Sequence, residues 1–452
     1  MKIIKIKVYG KQEKEEPIDS SERFNNILKE TLGLKDEKEM NESLSLFNAN
    51  WVHIINNYDK YKNFLIYGDV QSGKTLNLIY VINHLFENDK LDIVFYLTGS
   101  TNDILFQNQD RFTDTFKKIS NDIATYINSN LNCDNLILDL QRKKKVIISS
   151  IKQKVRSISI VDIINALPPS TKILIVDDEA DDYTISNDII KIYKSIETNN
   201  LKKISITASP FYNIYKFDDY DYYKVLKSPN NYCGINKFDN KNFYVMNDPN
   251  WEKIVFRAFL YWICITASLG LKDSQFLLNI ELEKEDHWLI KKYIRKTLDD
   301  FKKTKNLPKL ILEYYPRFHK DIDKISNFIC NLNFDIIKTL NSDSDEELSN
   351  KNFEILIGGK NLSRGITFKN LLVEVMVNMG KKISAGTLIQ RARWFGYRNK
   401  MLEHMMIFVN DNVINAYNEI KDLILWTKKY DIYERNYLNK FNACNYEYIK
   451  IK

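Results

Sequence analysis

Cysteine, histidine, glycine and proline are all scarce here, and no long apolar run is present. The five cysteines (Cys133, Cys233, Cys264, Cys330, Cys444) are scattered over 452 residues, odd in number and never spaced C-x-x-C. That argues against a disulfide framework or a zinc site and for a reducing, cytoplasmic setting. The five histidines form no H-E-x-x-H or similar cluster, so no dedicated transition-metal site is expected. The most apolar stretch, residues 259–271 (FLYWICITASLGL), falls short of the roughly 20 residues of a spanning helix and reads as a buried one. The opening MKIIKIKVYGKQEKEE turns polar too soon for a secretory signal. A membrane partner is therefore not expected.

Hydrophobic residues make up 44% and charged residues 28% of the chain, the balance of an ordinary globular protein long enough for two to three domains. The net charge of +7 permits a nucleic-acid partner without demanding one, because a binding face needs clustered charge. Much of it comes from an abundance of Lys beside Asn and Ile, residues that A- and T-rich codons spell.

Residues 1–60 read as a charged, helical N-terminal segment. From there short apolar runs alternate with longer amphipathic stretches: 64–68, 92–99, 145–150, 172–178 and 202–209. Runs apolar on both faces, joined by crossovers of a dozen residues or more, indicate a buried parallel sheet with helices on both sides. A Tyr-, Asp- and Asn-rich stretch then breaks the rhythm, so 61–211 reads as a first α/β lobe and 212–274 as a linker or insertion carrying the buried helix. A second alternating block (275–281, 334–341, 353–359, 371–379, 404–410) marks a second lobe over 275–411. A helix and tail fill 412–452.

Gly68-Asp69-Val70-Gln71-Ser72-Gly73-Lys74-Thr75 is a full G-x-x-x-x-G-K-[ST] loop, placed after an apolar strand and at the start of a helix. Its glycines let backbone N–H groups curl around one anion at a helix N-terminus. The spacing assigns Gly68, Gln71, Ser72, Gly73, Lys74 and Thr75 to ATP, with Lys74 on the β- and γ-phosphates and the Thr75 hydroxyl on Mg²⁺. The matching half is the acidic turn Asp177-Asp178-Glu179-Ala180-Asp181-Asp182. So many carboxylates at a strand end call for a counter-charge, which Mg²⁺ can supply. Asp178 is assigned to the metal and Glu179 to orienting and deprotonating the attacking water.

Thr207-Ala208-Ser209-Pro210 follows, and later come Gly358-Gly359-Lys360-Asn361-Leu362-Ser363-Arg364-Gly365-Ile366-Thr367 and Thr387-Leu388-Ile389-Gln390-Arg391-Ala392-Arg393-Trp394-Phe395-Gly396-Tyr397-Arg398. The order resembles that of superfamily 2 helicases, and the last two stretches resemble the signature of the Z1-domain family, I-G-G-x-x-L-S-R-G-x-T and then Q-x-G-R-W-F-G-Y-R. Leu97-Thr98-Gly99-Ser100-Thr101-Asn102 with Gln107 and Arg111 is similar to that family's next motif. The resemblance runs over about 61–410. Departures are Ala392 for Gly, Lys369-Asn370 for Glu-Gly and Gly386 for an acidic residue, and the chain is shorter than members usually are.

The resemblance implies two tandem RecA-like P-loop lobes and an ATPase coupled to nucleic acid, DNA before RNA, with a place in bacterial antiphage defence. Thr207, Ser209, Arg364, Gly365 and Gln390 are then the coupling residues, and Thr98, Gly99, Arg111, Arg364 and Thr367 the phosphate-backbone contacts. Arg393 and Arg398, flanking Trp394-Phe395-Gly396-Tyr397, are both candidate arginine fingers, with the aromatics read as packing. The alternative is an ATP-dependent switch that recruits a protein effector without translocation. A nuclease, resting on Glu281-Leu282-Glu283-Lys284 alone, has no convincing upstream acid.

Overall fold

The computed structural model describes residues 37–99, 115–120, 122–181, 200–210, 220–280, 284–304, 306–340, 352–359, 368–377, 383–398 and 401–428, with short pieces at 26, 112, 192–193, 195–196, 213, 432–434 and 450–451. Helix α1 (Glu37–Asn57) leads into a first sheet built from β1 (Asn63–Tyr67), β2 (Ile93–Thr98), β3 (Ile123–Ile127), β4 (Lys145–Ile151), β5 (Ile173–Asp178), β6 (Leu201–Thr207) and β7 (Tyr222–Val225). Helices α2 (Lys74–Glu87), α3 (Cys133–Gln141) and α4 (Lys154–Ala166) cross between its strands. These seven strands run parallel in the order β7-β1-β6-β5-β2-β4-β3.

Burial explains the apolar runs. Every residue of β2 and β5 is buried, because a parallel sheet covered on both faces has no wet side. Alternation along β1 still sorts its side chains: Phe64 and Ile66 join the cluster under α1 and α2, while Leu65 and Tyr67 join a different one. That different cluster runs on through Tyr232, Cys233 and Phe238 into the second lobe, so the two lobes share apolar contact.

The second sheet contains β8 (Phe243–Val245), β9 (Ser274–Asn279), β10 (Ile337–Thr339), β11 (Phe353–Gly358), β12 (Leu371–Met376) and, after the two-residue β13 (Ile383–Ser384), β14 (Met406–Val409). Its order is β10-β11-β9-β12-β14-β8, all parallel. Helix α5 (Trp251–Ser268), capped by the Asn250 side chain on the Glu252 N–H, is the buried apolar helix and packs on β9 and β12. It is followed by α6 (Lys284–Lys303), α7 (Leu307–Tyr314), α8 (Ile322–Asn331), α9 (Ala385–Arg391) and α10 (Asp411–Lys428). A late strand, β15 (Ile432–Glu434), adds antiparallel to β7, and β16 (Lys450–Ile451) pairs with β13.

Each of the ten apolar runs marked in the sequence contains a strand. The stretch read as an irregular linker is more ordered than its composition suggests: it gives β7 to the first sheet and β8 to the second, while the buried helix expected after it is α5. Strand β3 also went unmarked, because as the edge of the sheet only its first residue is buried. No helix among the described residues is long and apolar enough to cross a membrane.

Candidate nucleotide site between the lobes

Strand β1 ends where the Gly68 N–H donates to the Thr207 carbonyl at 3.0 Å. A Cβ on Gly68 would sit 2.8 Å from Lys74 Cγ, so that position takes no side chain. The loop then turns through left-handed conformations at Gln71 (φ 58°) and Gly73 (φ 86°), and Gly73 caps α2 without a side-chain hydrogen bond. The first turn of α2 holds no acidic residue, which leaves the positive end of the helix dipole to an anion. Ser72 Oγ and Lys74 Nζ both donate to the Asp69 carbonyl, at 2.8 and 3.1 Å. Burial lowers the Lys74 pKa, against the opposing pull of Asp178, Glu179, Asp181 and Asp69. Behind the loop, Trp51 Nε1 of α1 donates to Asn77 Oδ1 at 2.9 Å, and Asn77 Nδ2 donates to the Gly73 carbonyl at 3.1 Å. The N-terminal helix thereby braces the phosphate loop.

Part of the acidic turn finds its counter-charge in the protein itself: two lysines hold Asp177. Asp177 is buried between Lys152 Nζ at 2.9 Å and Lys203 Nζ at 3.2 Å. Burial alone would raise its carboxyl, but Lys152 and then Lys203 outweigh it and hold the group below the usual range. Asp181 accepts from Thr207 Oγ1 at 2.6 Å, Ser209 Oγ at 2.7 Å and Gln390 Nε2 at 3.0 Å. Asp178 accepts from Tyr96 Oη at 2.7 Å and from the Glu179 N–H at 3.0 Å. Glu179 itself has φ 52°, a left-handed conformation costing a residue with a side chain about 1–3 kcal/mol.

From the second lobe, α9 and the turn after it reach across. Gln390 joins the Asp181 cluster, and a Cβ on Gly386 would meet Ser209 Oγ at 2.9 Å with Asp181 Oδ2 at 3.9 Å. That crowding, beside a carboxylate, leaves little room for a side chain at 386. Tyr397 Oη donates to the Ser72 carbonyl at 3.2 Å, and Tyr232 Oη donates to the Val70 carbonyl at 2.6 Å. Gly396 (φ 138°) exchanges backbone hydrogen bonds with Cys233, at 2.7 and 3.1 Å. Asp69 is held by Lys428 Nζ of α10 at 2.6 Å and by Ser228 Oγ at 2.8 Å. The phosphate loop is thus bound on one flank by the second lobe.

The two candidate arginines part company. Arg398 donates to the Phe368, Lys369 (2.6 Å) and Arg393 (3.5 Å) carbonyls, all within its own lobe. Arg393 donates to the Gln390 carbonyl at 3.2 Å. Burial draws it down to about 10, with Glu374 and then Glu179 acting in the other direction; it therefore stays cationic at neutral pH, in the field of the Glu179 carboxylate. Trp394 and Phe395 are core residues as expected, whereas Tyr397 is 40% exposed.

Beneath Arg393 lies a cluster the sequence did not single out. Asn279 Nδ2 donates to Glu374 Oε1 at 3.1 Å, and Arg391 donates to Asn279 Oδ1 at 3.2 Å. Burial raises the Glu374 carboxyl to about 8, against Asn279, Arg393 and Arg391. The folded state thus binds this proton more tightly than the unfolded chain does. Its stabilisation is complete below about pH 4.5 and is lost as pH rises through about 8. Glu374→Gln is expected to flatten the decline of melting temperature between those pH values. An unchanged slope in thermal melts would show that Glu374 is ionised throughout.

Thr98, at the end of β2, is buried, and the Gly99 carbonyl accepts from the Lys152 N–H at 3.2 Å. Arg111, Arg364, Gly365 and Thr367 lie outside the described residues, as do Glu281, Leu282 and Glu283. The structure therefore brings together the ATP and coupling candidates Lys74, Asp178, Glu179, Thr207, Ser209, Gln390 and Arg393. Of the nucleic-acid set only Thr98 and Gly99 lie among the described residues.

Residues 256–425 match the family model of the Z1 domain, which spans α5 to α10. No curated protein matches the sequence. Among solved structures, the chain is similar to the DUF1998 helicase MrfA bound to DNA, at 12% identity and TM-score 0.50, covering 92% of this chain and 54% of that one. It is also similar to Mss116p (NTE and C-tail double deletion) bound to ssRNA and AMP-PNP, at 11% identity and TM-score 0.45, covering 80% and 69%. A third match is the DEAD-box helicase Mss116 bound to ssRNA and UDP-BeF, at 12% identity and TM-score 0.42, covering 88% and 77%. The likeness to MrfA is one of fold, that of a two-lobed, RecA-like helicase, and the chain spans about half of that protein.

Proposed function

We propose that the chain hydrolyses ATP between its lobes and couples that hydrolysis to movement along, or remodelling of, a nucleic acid, DNA before RNA. The observation that carries the reading is the Asp181 cluster. One carboxylate of the acidic turn is held at once by Thr207 and Ser209 of its own lobe and by Gln390 of the other. A change in lobe spacing must pull on the turn that carries Glu179.

Gly73, Lys74 and the N-terminus of α2 would hold the phosphates. Thr75 and Asp178 supply oxygen donors that suit a hard divalent cation. Among the described residues no cluster of three His, Cys, Asp or Glu could hold a metal by itself, so the ion would share its ligands with the phosphates, as Mg²⁺ commonly does. When bound it would neutralise charge on those phosphates. Glu179 would take the proton of the attacking water, and Arg393 would offset the charge that develops on the transferred group. A role in antiphage defence rests on the family resemblance alone.

The reading is tested by ATPase rate against DNA and RNA concentration at about 50 and 200 mM salt, a range in which phosphate-backbone contacts weaken by orders of magnitude. Stimulation that falls steeply with salt is expected. A flat response to every form at both salts would remove the translocating reading in favour of a switch, for which stimulation by a protein partner is expected instead.

A further inference from the structure

Lys152, just past β4, takes no part in the chemistry above, yet its side chain is wholly buried against the acidic turn. Its ammonium meets Asp177 Oδ1 at 2.9 Å, the Asp178 carbonyl, and the Glu179 carbonyl at 2.9 Å. A lysine has three N–H donors, and three acceptors of one turn take them. The root of the side chain is fixed as well, since the Lys152 backbone N–H donates to the Gly99 carbonyl at the end of β2. Lys203 shares the Asp177 carboxylate but, among the described residues, hydrogen-bonds neither carbonyl.

The turn needs such a clamp. Glu179 sits at φ 52°, a conformation that costs a residue with a side chain free energy and that contacts on the turn must hold in place. On the far side the Ala180 N–H is tied to the Ile206 carbonyl at 3.0 Å and the Glu179 N–H to Asp178 Oδ1 at 3.0 Å. Lys152 grips both the 178 and the 179 carbonyl.

We propose that Lys152 is a positioning residue, whose ammonium clamps the Asp178 and Glu179 carbonyls and so fixes the left-handed turn that aims the Glu179 carboxylate. The proposal rests on the reading of Glu179 as the water-activating group. Lys152→Met in the full chain is expected to lower kcat about 10²-fold, the scale of misplacing a reacting group by an ångström, while the Kd of a fluorescent ATP analogue changes no more than about threefold. Hydrogen–deuterium exchange at the Glu179 and Ala180 amides should quicken about tenfold or more as the turn loosens. Lys203→Met, which disturbs the same carboxylate, should leave kcat and that exchange within about threefold.

Equal losses in the two variants, or unchanged exchange in Lys152→Met, would overturn the proposal. If Lys152→Met does not fold, Lys152→Arg decides. A planar guanidinium keeps the charge but not the compact three-way donor, so about a tenfold loss of kcat with normal ATP affinity is expected, and a wild-type kcat refutes the clamp. Should the wild-type protein hydrolyse no ATP, the reading of Glu179 fails, and the exchange measurement still decides whether Lys152 holds the turn.

Discussion

Arg393→Ala is expected to slow ATP turnover about 10³-fold or more with little change in ATP affinity, the behaviour of an arginine finger. The residue is buried, cationic and inside the electrostatic reach of Glu179, the group nearest the expected chemistry. Truncation would leave charge on the transferred phosphoryl group unopposed from the second lobe, and binding would still be carried by the phosphate loop. Arg398→Ala makes the comparison sharp. That guanidinium is spent on the carbonyls of Phe368, Lys369 and Arg393, so its loss should appear first as a lower melting temperature and only indirectly in rate. Single-turnover hydrolysis with a parallel binding titration separates the two. Twofold effects from Arg393→Ala would mean that it, too, is structural.

What could be read from the sequence was chemistry with a fixed local spacing. The glycine-rich loop shows itself because its turn into α2 takes a left-handed residue at Gly73, with Lys74 next to it, whatever the rest of the fold does. The acidic turn was legible for the same reason, and so were strands buried on both faces. Its charge balance was not, because Lys152 comes from just past β4 and Lys203 from β6, and no local pattern marks them. The joining of the lobes was equally hidden. Lys428 meets Asp69 across 359 positions and Tyr397 meets Ser72 across 325; such contacts are set by how two sheets dock. The Tyr-rich stretch misled for a different reason. Polar and aromatic composition suggests a loop, but Tyr222 and Tyr223 bury their rings and serve as a strand.

Glu179→Gln should keep ATP bound while hydrolysis falls about 10²–10⁴-fold, the usual worth of a general base. The other described carboxylates of the turn are engaged by partners. Asp177 is gripped by two lysines, Asp181 by Thr207, Ser209 and Gln390, and Asp178 by Tyr96. Glu179 alone adds charge to the surroundings of both Lys74 and Arg393, one from each side of the cleft. The amide is isosteric, so the left-handed turn and its hydrogen bonds to Lys152 and Ile206 should survive, and the loss would be one of proton acceptance rather than of shape. The measurement is steady-state hydrolysis beside equilibrium binding of a fluorescent nucleotide. A Glu179→Gln protein that turns over ATP at the wild-type rate would move the base elsewhere, with Asp178, the carboxylate that acts most on Lys74, the next candidate.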